Sequence, residues 1–484
     1  MITTASDQDV RASVPLPPGS FGVAEGWGML HRAAGDVYRP STPEGVLAVL
    51  RLARESRLSV VPRGSGYSYG DTALNAENII LDTTRLNRIL DWNPETGIIR
   101  LEPGATVEQL WRYTLEDGWW PPVVPGAMHP TLGGCLATNV HGKNNWKAGT
   151  ILDHILAAEM VTAGGEHISL SRENNPELLG ATVGGVGMLG VFTSLTLRLE
   201  RISSGLLNVR EEAVRSLDEM FASFRSHSPR ADYLIGWIDG FATGHDLGRG
   251  LVQIATHVHD DPEPGRTLSA RAQLLPDTVL GIIPRSRLWL AMKPVVNDVG
   301  MRAVNRLRYA AGSKRAGRMT RVPHVQFHFF HDFVPGWKRA WQPGGILQYQ
   351  VFVPRENAPA VFRAILEEPP AHGFTPYLAV FKLHRADASL LRYSVDGYSL
   401  SLDFHATERH YAGLQRTLTG LTTDVVLPAG GRFYLAKDSL LDRPTARRML
   451  GDDAVDRFLE LKRQLDPDEV LQSNLYRRAL RAPR

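Results

Sequence analysis

Cysteine is all but missing from this chain: Cys135 is the only one in 484 residues. No intramolecular disulfide can form, and zinc sites built on clustered cysteines are excluded. Excess charge is missing as well. Lys and Arg number 54 against 51 Asp and Glu, so no broad field favours nucleic acid or an acidic partner. The one basic cluster is the tail, residues 477–484. No apolar run reaches the roughly 18 residues that a membrane span needs. Residues 1–12 are polar and acidic-leaning, unlike a signal peptide, so a cytoplasmic location is the expectation. No repeat or low-complexity segment occurs. One segment is a candidate for peripheral membrane contact rather than core: Val279-Leu280-Gly281-Ile282-Ile283-Pro284 with Leu288-Trp289-Leu290, flanked by arginines. The length and the 43% hydrophobic content suit two or more globular domains.

Glycine, by contrast, is plentiful and clustered. The run Pro62-Arg63-Gly64-Ser65-Gly66-Tyr67-Ser68-Tyr69-Gly70-Asp71 follows a β-branched stretch that reads as a strand. Such loops let backbone N–H groups converge on an anion, and Arg63 adds a permanent charge. Gly64, Gly66 and Gly70 are spaced G-x-G-x-x-x-G, one residue longer than the dinucleotide fingerprint. The next element, Ile79 to Asp82, reads as a strand and not a helix. A Rossmann turn is therefore disfavoured, and no G-K-[ST] marks a P-loop. A strand–loop–strand cradle and an ordinary glycine-rich hairpin remain the two readings.

Two more glycine turns follow. Pro125-Gly126-Ala127-Met128-His129-Pro130-Thr131-Leu132-Gly133-Gly134 leads to Thr138-Asn139-Val140-His141-Gly142-Lys143, where His141 is a candidate site residue. Gly184-Gly185-Val186-Gly187-Met188-Leu189-Gly190 enters an alternating strand at residues 191–199. Ahead of the first glycine run, helical spacing predicts a helix over residues 44–54. A capping-box pattern at Thr106 to Gln109 predicts another, continuing towards Gly118. Gly164-Gly165 marks a hairpin between strands at 155–162 and 167–170. Up to about residue 201 the chain reads as one α+β unit whose three turns converge on a long ligand.

The texture then changes. A helix is expected over 214–225, while residues 258–320 give no regular pattern. Residues 347–353, 378–384 and 398–404 alternate apolar and polar, as neighbouring strands of an antiparallel sheet. Their polar members, Gln348, Gln350, Lys382, Ser399 and Ser401, either line a pocket or face solvent. A helix over 454–465 closes the chain.

The three ordered turns resemble the vanillyl-alcohol-oxidase superfamily of flavoenzymes, with its p-cresol-methylhydroxylase (PCMH) type of FAD domain. Within it the chain looks most like the branch of decaprenylphosphoryl-ribose 2′-oxidases. That likeness rests on Gly26-Trp27-Gly28, Ser68-Tyr69-Gly70-Asp71, His141-Gly142-Lys143-Asn144, Leu347-Gln348-Tyr349-Gln350, Val380-Phe381-Lys382-Leu383 and Ala436-Lys437-Asp438-Ser439. The resemblance implies an FAD-binding domain over 1–201, a substrate domain on an antiparallel sheet over 202–431, and a segment over 432–484 that returns to the FAD domain. Arg63, Gly64, Ser65, Gly66, Tyr67, Ser68, Tyr69, Gly70 and Asp71 would cradle the pyrophosphate. Gly126, Thr131, Leu132, Gly133, Gly134, Thr138, Asn139, His141, Phe192 and Tyr434 would line the rest of the cofactor. Relatives that link the flavin covalently use a histidine where this chain has Tyr67, and some a cysteine where it has His129, so non-covalent FAD is expected. Mycobacterial members carry a cysteine at the position of Ser401 and an asparagine at that of Ser399, which bears on the substrate pocket.

The implied chemistry is oxidation of a secondary sugar hydroxyl, the 2′-hydroxyl of a polyprenyl-phosphate-linked pentose, as the first half of an epimerisation completed by a separate short-chain reductase. Lys437 would hold the alcohol oxygen, with Gln350, Tyr69 and His141 beside it. Lys143, Gln348, Lys382, Ser399 and Ser401 would face the substrate, and no metal is called for. An aldonolactone or alditol oxidase passing electrons to oxygen is the alternative, and a flavin-binding partner without turnover is the reading outside enzymes.

Overall fold

The computed structural model describes residues 20–279 and 283–482. The expectations for residues 1–12 and for Leu280, Gly281 and Ile282 lie outside them. The chain is α+β, built on three main sheets. The first has four strands: Ser20–Glu25, Arg32–Tyr38, Ile79–Asp82 and Val60–Arg63 in that spatial order. The helix Pro43–Glu55 covers it, started by Thr42, whose hydroxyl accepts from the Gly45 N–H. Its apolar face, Val46, Val49, Leu50 and Ala53, packs on Val60, Ile79 and Leu81.

Val60–Arg63 and Ile79–Asp82 run parallel, Val60 opposite Ile79 and Arg63 opposite Asp82. A hairpin is thereby excluded. Parallel neighbours need a long crossover, and here residues 64–78 make it without a helix, so the glycine loop stands over the ends of both strands.

A second sheet of five strands carries residues 89–198, with the expected hairpin between Ile155–Val161 and His167–Ser171 turning at Gly165. The capping box at Thr106 and Gln109 forms and starts the helix Val107–Thr114, which ends at Leu115, short of Gly118.

The third sheet has eight strands. Three of them, Leu378–His384, Gly397–Ala406 and Gly345–Pro354, are neighbours in that order and antiparallel, with Gln350 opposite Ser401, Gln348 opposite Asp403 and Lys382 opposite Ser399. Period-2 alternation divides each strand between two faces. Leu347, Tyr349, Val351, Leu400, Leu402, Ala379 and Phe381 go to the main core, beneath the helices Leu217–His227 and Ala358–Ala371. Burying each of the large ones is worth about 1.5–3 kcal/mol, so a one-residue slip would be prohibitive. The register therefore fixes Gln348, Gln350, Lys382, Ser399, Ser401 and Asp403 on the opposite face.

Three elements differ from expectation. The helix expected at 214 starts at Leu217, because Val214 ends the strand Leu206–Val214 and Ser216 supplies the cap. Residues 258–320 contain the helix Asp298–Arg315, hidden from periodicity because only Asn305 and Gly312 of it are buried. The strand Arg432–Phe433 pairs with Val351 and Phe352, so the substrate sheet runs just past residue 431. In the C-terminal segment, Val470 O accepts from the Val60 N–H (2.6 Å), and Arg478 is ion-paired to Asp71 (2.8 Å) and Asp438 (3.0 Å). No helix among the described residues is long and apolar enough to cross a membrane.

Candidate active site

The three glycine turns and the loop at 434–437 enclose one cavity. Its walls include Gly64, Ser65, Gly66, Tyr67, Ser68 and Tyr69, then Gly126, Thr131, Gly134 and Thr138, then Val186, and finally Tyr434 and Lys437. Glycine is required where the loops touch. A Cβ on Gly64 would lie 2.0 Å from Thr131 Oγ1, and one on Gly70 would lie 2.0 Å from the Asp438 carbonyl oxygen. The first loop is thus pressed against the second and against the loop that bears Lys437. Val186 holds a left-handed φ of 50°, a conformation that costs a β-branched residue about 1–3 kcal/mol and is kept mainly at ligand sites. Its amide donates to Ala137 O at 2.9 Å.

The lining is mainly glycine and apolar side chains, and Lys437 is its one Lys or Arg, with no Asp or Glu. A pyrophosphate placed against this backbone wall would meet no opposing charge, and bare glycine backbone allows the close approach it needs. Tyr67 stacks on Trp27, ring centroids 4.0 Å apart, at the edge of the same wall. The residues present fit a dinucleotide.

Several residues expected to touch that ligand do other work. The Arg63 guanidinium donates to Ala73 O (3.1 Å) and Glu25 O (2.8 Å), bracing the loop instead of facing the cavity. Asp71 is taken by Arg478. Leu132 and Phe192 are buried in the core of the second sheet. The Gly133 amide donates to Pro103 O. The Asn139 side chain is spent on Asp387 and on the Leu152 amide, both at 3.3 Å. Gly70 contributes close packing, not lining.

Lys437 is the one Lys or Arg in the cavity wall. Its Nζ lies 3.8 Å from the centroid of the Tyr69 ring, and no protein acceptor for it occurs among the described residues. Burial pulls its pKa down, Asp403 counteracting and Lys382 adding to the fall; the same burial pushes the Asp403 carboxyl up. Gln348 donates to Asp403 Oδ1 at 2.5 Å. This leaves Gln348 Oε1 and Asp403 Oδ2 buried without partners. Orphaned buried acceptors of this kind mark a place for donors that the protein does not supply.

Gln350 donates to His141 Nε2 (3.2 Å), so the proton of the neutral ring is on Nδ1, facing the Tyr393 hydroxyl (3.0 Å), which in turn donates to Asn139 O (2.7 Å). Burial, with Lys382 nearby, holds His141 far below its ordinary pKa. Gln350 and Gln348 line a small recess with Lys437 and Tyr434. Lys382 is enclosed, its pKa brought down to about 8 by burial, and it too has no acceptor among the described residues. Ser399 is bonded to His384 (2.7 Å), while Ser401 lies between Gln350 and Val380 across the strands. Lys143 does not line the Lys437 cavity. Its amine donates to Phe327 O, lies 4.3 Å from the centre of that ring and borders a second cavity.

Asp403, Tyr393, His331 and Trp27 were not identified as site residues from sequence. Asp403 had a visible signal, being two places from Ser401 on the same strand face. Tyr393 and His331 had none, because Tyr393 comes from an irregular segment and His331 from the single short turn Phe330–Phe333, too short for a periodic pattern. His129 is half-exposed, with Nδ1 at 3.3 Å from Glu108 and Nε2 at 3.5 Å from Asp332. The hydrogen bond with Glu108 raises its pKa.

A glycine-lined cavity with Lys437 in its wall fits a dinucleotide, and comparison with known proteins makes the chain an FAD-dependent oxidoreductase acting on hydroxyl groups. Residues 36–171 match a family model described as an FAD binding domain. The chain is 30% identical over 464 residues to the decaprenylphosphoryl-beta-D-ribose oxidase of Mycolicibacterium smegmatis, covering 94% of this chain and 96% of that one. It is 29% identical to an uncharacterised protein of Streptomyces coelicolor, over 77% of this chain and 99% of that one. It is 32% identical to the D-lactate dehydrogenase of Archaeoglobus fulgidus over 34% of this chain and 38% of that one. The chain belongs to the PCMH-type family of FAD flavoenzymes, and its cofactor is FAD.

Proposed function

We propose that this flavoenzyme oxidises a secondary sugar hydroxyl to a ketone, the substrate being a pentose 2′-hydroxyl carried on a polyprenyl phosphate. The observation that carries the reading is Lys437: an amine in the cofactor cavity's wall with no protein acceptor among the described residues, sharing a small recess with Gln348, whose Oε1 is, like Asp403 Oδ2, buried without a partner among them. A sugar presents several hydroxyl donors at once, which is what those oxygens lack.

FAD, when bound, accepts the hydride leaving the carbinol carbon. The protein's task is the proton and the position. Lys437, with its depressed pKa, takes the hydroxyl proton as the neutral amine and, once protonated, faces the developing carbonyl oxygen as a cation. Tyr69 supports it by its ring. Gln350, held by His141, and Gln348, held by Asp403, orient the sugar, and Lys382 and Ser401 bound it on the sheet side. His129 is engaged by Glu108 and Asp332, which raise its pKa and so work against its use as a nucleophile, in keeping with FAD held without a covalent bond.

A separate short-chain reductase would return the ketone to an alcohol of opposite configuration. Peripheral contact with a membrane belongs to the same reading, supported by exposed Ile283, Leu290, Val299 and Leu307. The test is Lys437→Met: the variant should keep its FAD and lose at least about a thousandfold in flavin reduction by a polyprenylphosphoryl pentose. Near-normal reduction would remove Lys437 from the chemistry, and a wild type that no such sugar reduces would remove the substrate class.

A further inference from the structure

The polar face that carries Gln350, Ser401 and Lys382 does not end at the strand Leu378–His384. It continues across the strands Tyr233–Ile238, Gly250–His257 and Leu206–Val214, where Trp237 is opposite Val380 and Glu211 is opposite Gln253. Over this half of the sheet is a second cavity of about 580 Å³, roofed by the helix Asp298–Arg315 and residues 318–333. Val380 is on its floor, directly across from Ser401. The cavity therefore begins about one strand spacing, roughly 5 Å, from the catalytic face.

Its chemistry is two-sided. Four cations, Lys143, Arg308, Arg315 and Arg318, face it against one carboxylate, Glu211. Among the described residues none of the four has an ion pair. Arg308 and Arg315 are two helical turns apart on one face of the helix. The Arg308 guanidinium lies 4.5 Å from the centre of the Trp237 ring, open to the cavity yet hemmed in by protein, which lowers its pKa. Phe327, Phe330 and Phe333 supply an aromatic wall, of which Phe330 is 46% exposed. Arg308, Arg315 and Arg318 are solvent-exposed, so their charges are free to pair with an anion at the mouth of a cavity whose inner wall is aromatic.

We propose that this second cavity is the phosphate-and-tail subsite. Arg308 and Arg315, with Arg318 at the rim, hold a phosphate, and the phenylalanine wall guides the attached apolar chain outward past Phe330. The inference rests on the proposed function for its substrate, but the site is testable without any sugar.

The experiment measures binding to the FAD-loaded full-length protein by calorimetry, with geranyl phosphate, geraniol and inorganic phosphate as probes. Geranyl phosphate should bind tightest. The double substitution Arg308→Gln with Arg315→Gln should weaken it at least tenfold, with flavin content and geraniol binding unchanged. Affinity for geranyl phosphate within twofold of wild type in that variant would overturn the arginine assignment. Inorganic phosphate binding as tightly as geranyl phosphate would overturn the apolar half. Since no turnover is read, the binding result stands apart from flavin reduction: a sugar that fails to reduce the flavin sinks the proposed function alone.

Discussion

Residues 64–69 form a glycine-rich wall of the main cavity; the strands Gly345–Pro354, Leu378–His384 and Gly397–Ala406 present a face of polar side chains, of which Gln348 and Gln350 line the adjoining recess with Lys437. The first wall works by having nothing at Cβ, and Gly64 and Gly70 are in contact with neighbouring loops at distances no side chain permits. The second works by register. Its core face holds the strands in place, while alternate positions on the other face are free to carry amide, hydroxyl, ammonium or carboxylate without disturbing the core. On the proposed function, cofactor binding is tied to geometry and substrate choice to chemistry, so the two walls should respond to mutation in different ways.

The largest expected effect is on the backbone wall. Gly64→Ala should purify with little or no flavin, read as the ratio of visible flavin to protein absorbance, and adding Thr131→Gly should restore part of it by removing the colliding hydroxyl. Retention of full flavin by Gly64→Ala would mean the loops are not pressed together. On the sheet wall, Gln350→Ala should keep its flavin yet be reduced about 10–100-fold more slowly, the span expected for losing one or two hydrogen bonds at about 1–3 kcal/mol. Flavin loss instead would move Gln350 to the cofactor side.

A smaller effect is expected in the pH profile. Lys437 must be neutral to take the proton, so reduction should rise with pH through an apparent pKa shared by Lys437 and Asp403. The Asp403 charge raises the Lys437 pKa, so Asp403→Asn, which can still accept from Gln348, should move the rise to lower pH. A shift upward, or none, would uncouple the pair. The smallest effect is expected at His129→Ala: acid precipitation should release the flavin to the supernatant from variant and wild type alike. Colour left in the wild-type pellet alone would make His129 a covalent anchor.

Much of the first wall could be read before the fold was known. Positive φ is a demand that a residue places on itself, and Gly66, at φ 74°, declares it locally, whereas the need for glycine at 64 and 70 comes from loops far away in the chain. The alternation of Gln348, Gln350, Lys382 and Ser401 likewise announces two faces. Arg63 shows the limit: a charge in a phosphate-like loop looks like a ligand residue, yet the shortest acceptors it finds are the carbonyls of Ala73 and Glu25. The helix Asp298–Arg315 shows another, since a helix with almost no buried face leaves little hydrophobic period to detect.

The amino-acid sequence by itself therefore determined the order of the glycine turns, the alternating strands, and the family those motifs belong to, because each depends on residues close together along the chain. Only the tertiary structure decided that the loop crosses between parallel strands and that Asp403 stands beside Lys437. It also decided that Gln350 meets His141 from 209 positions away and that Lys143 turns into a second, arginine-lined cavity. Those contacts arise from sheet register and burial summed over the whole chain, and no short stretch of residues carries that sum.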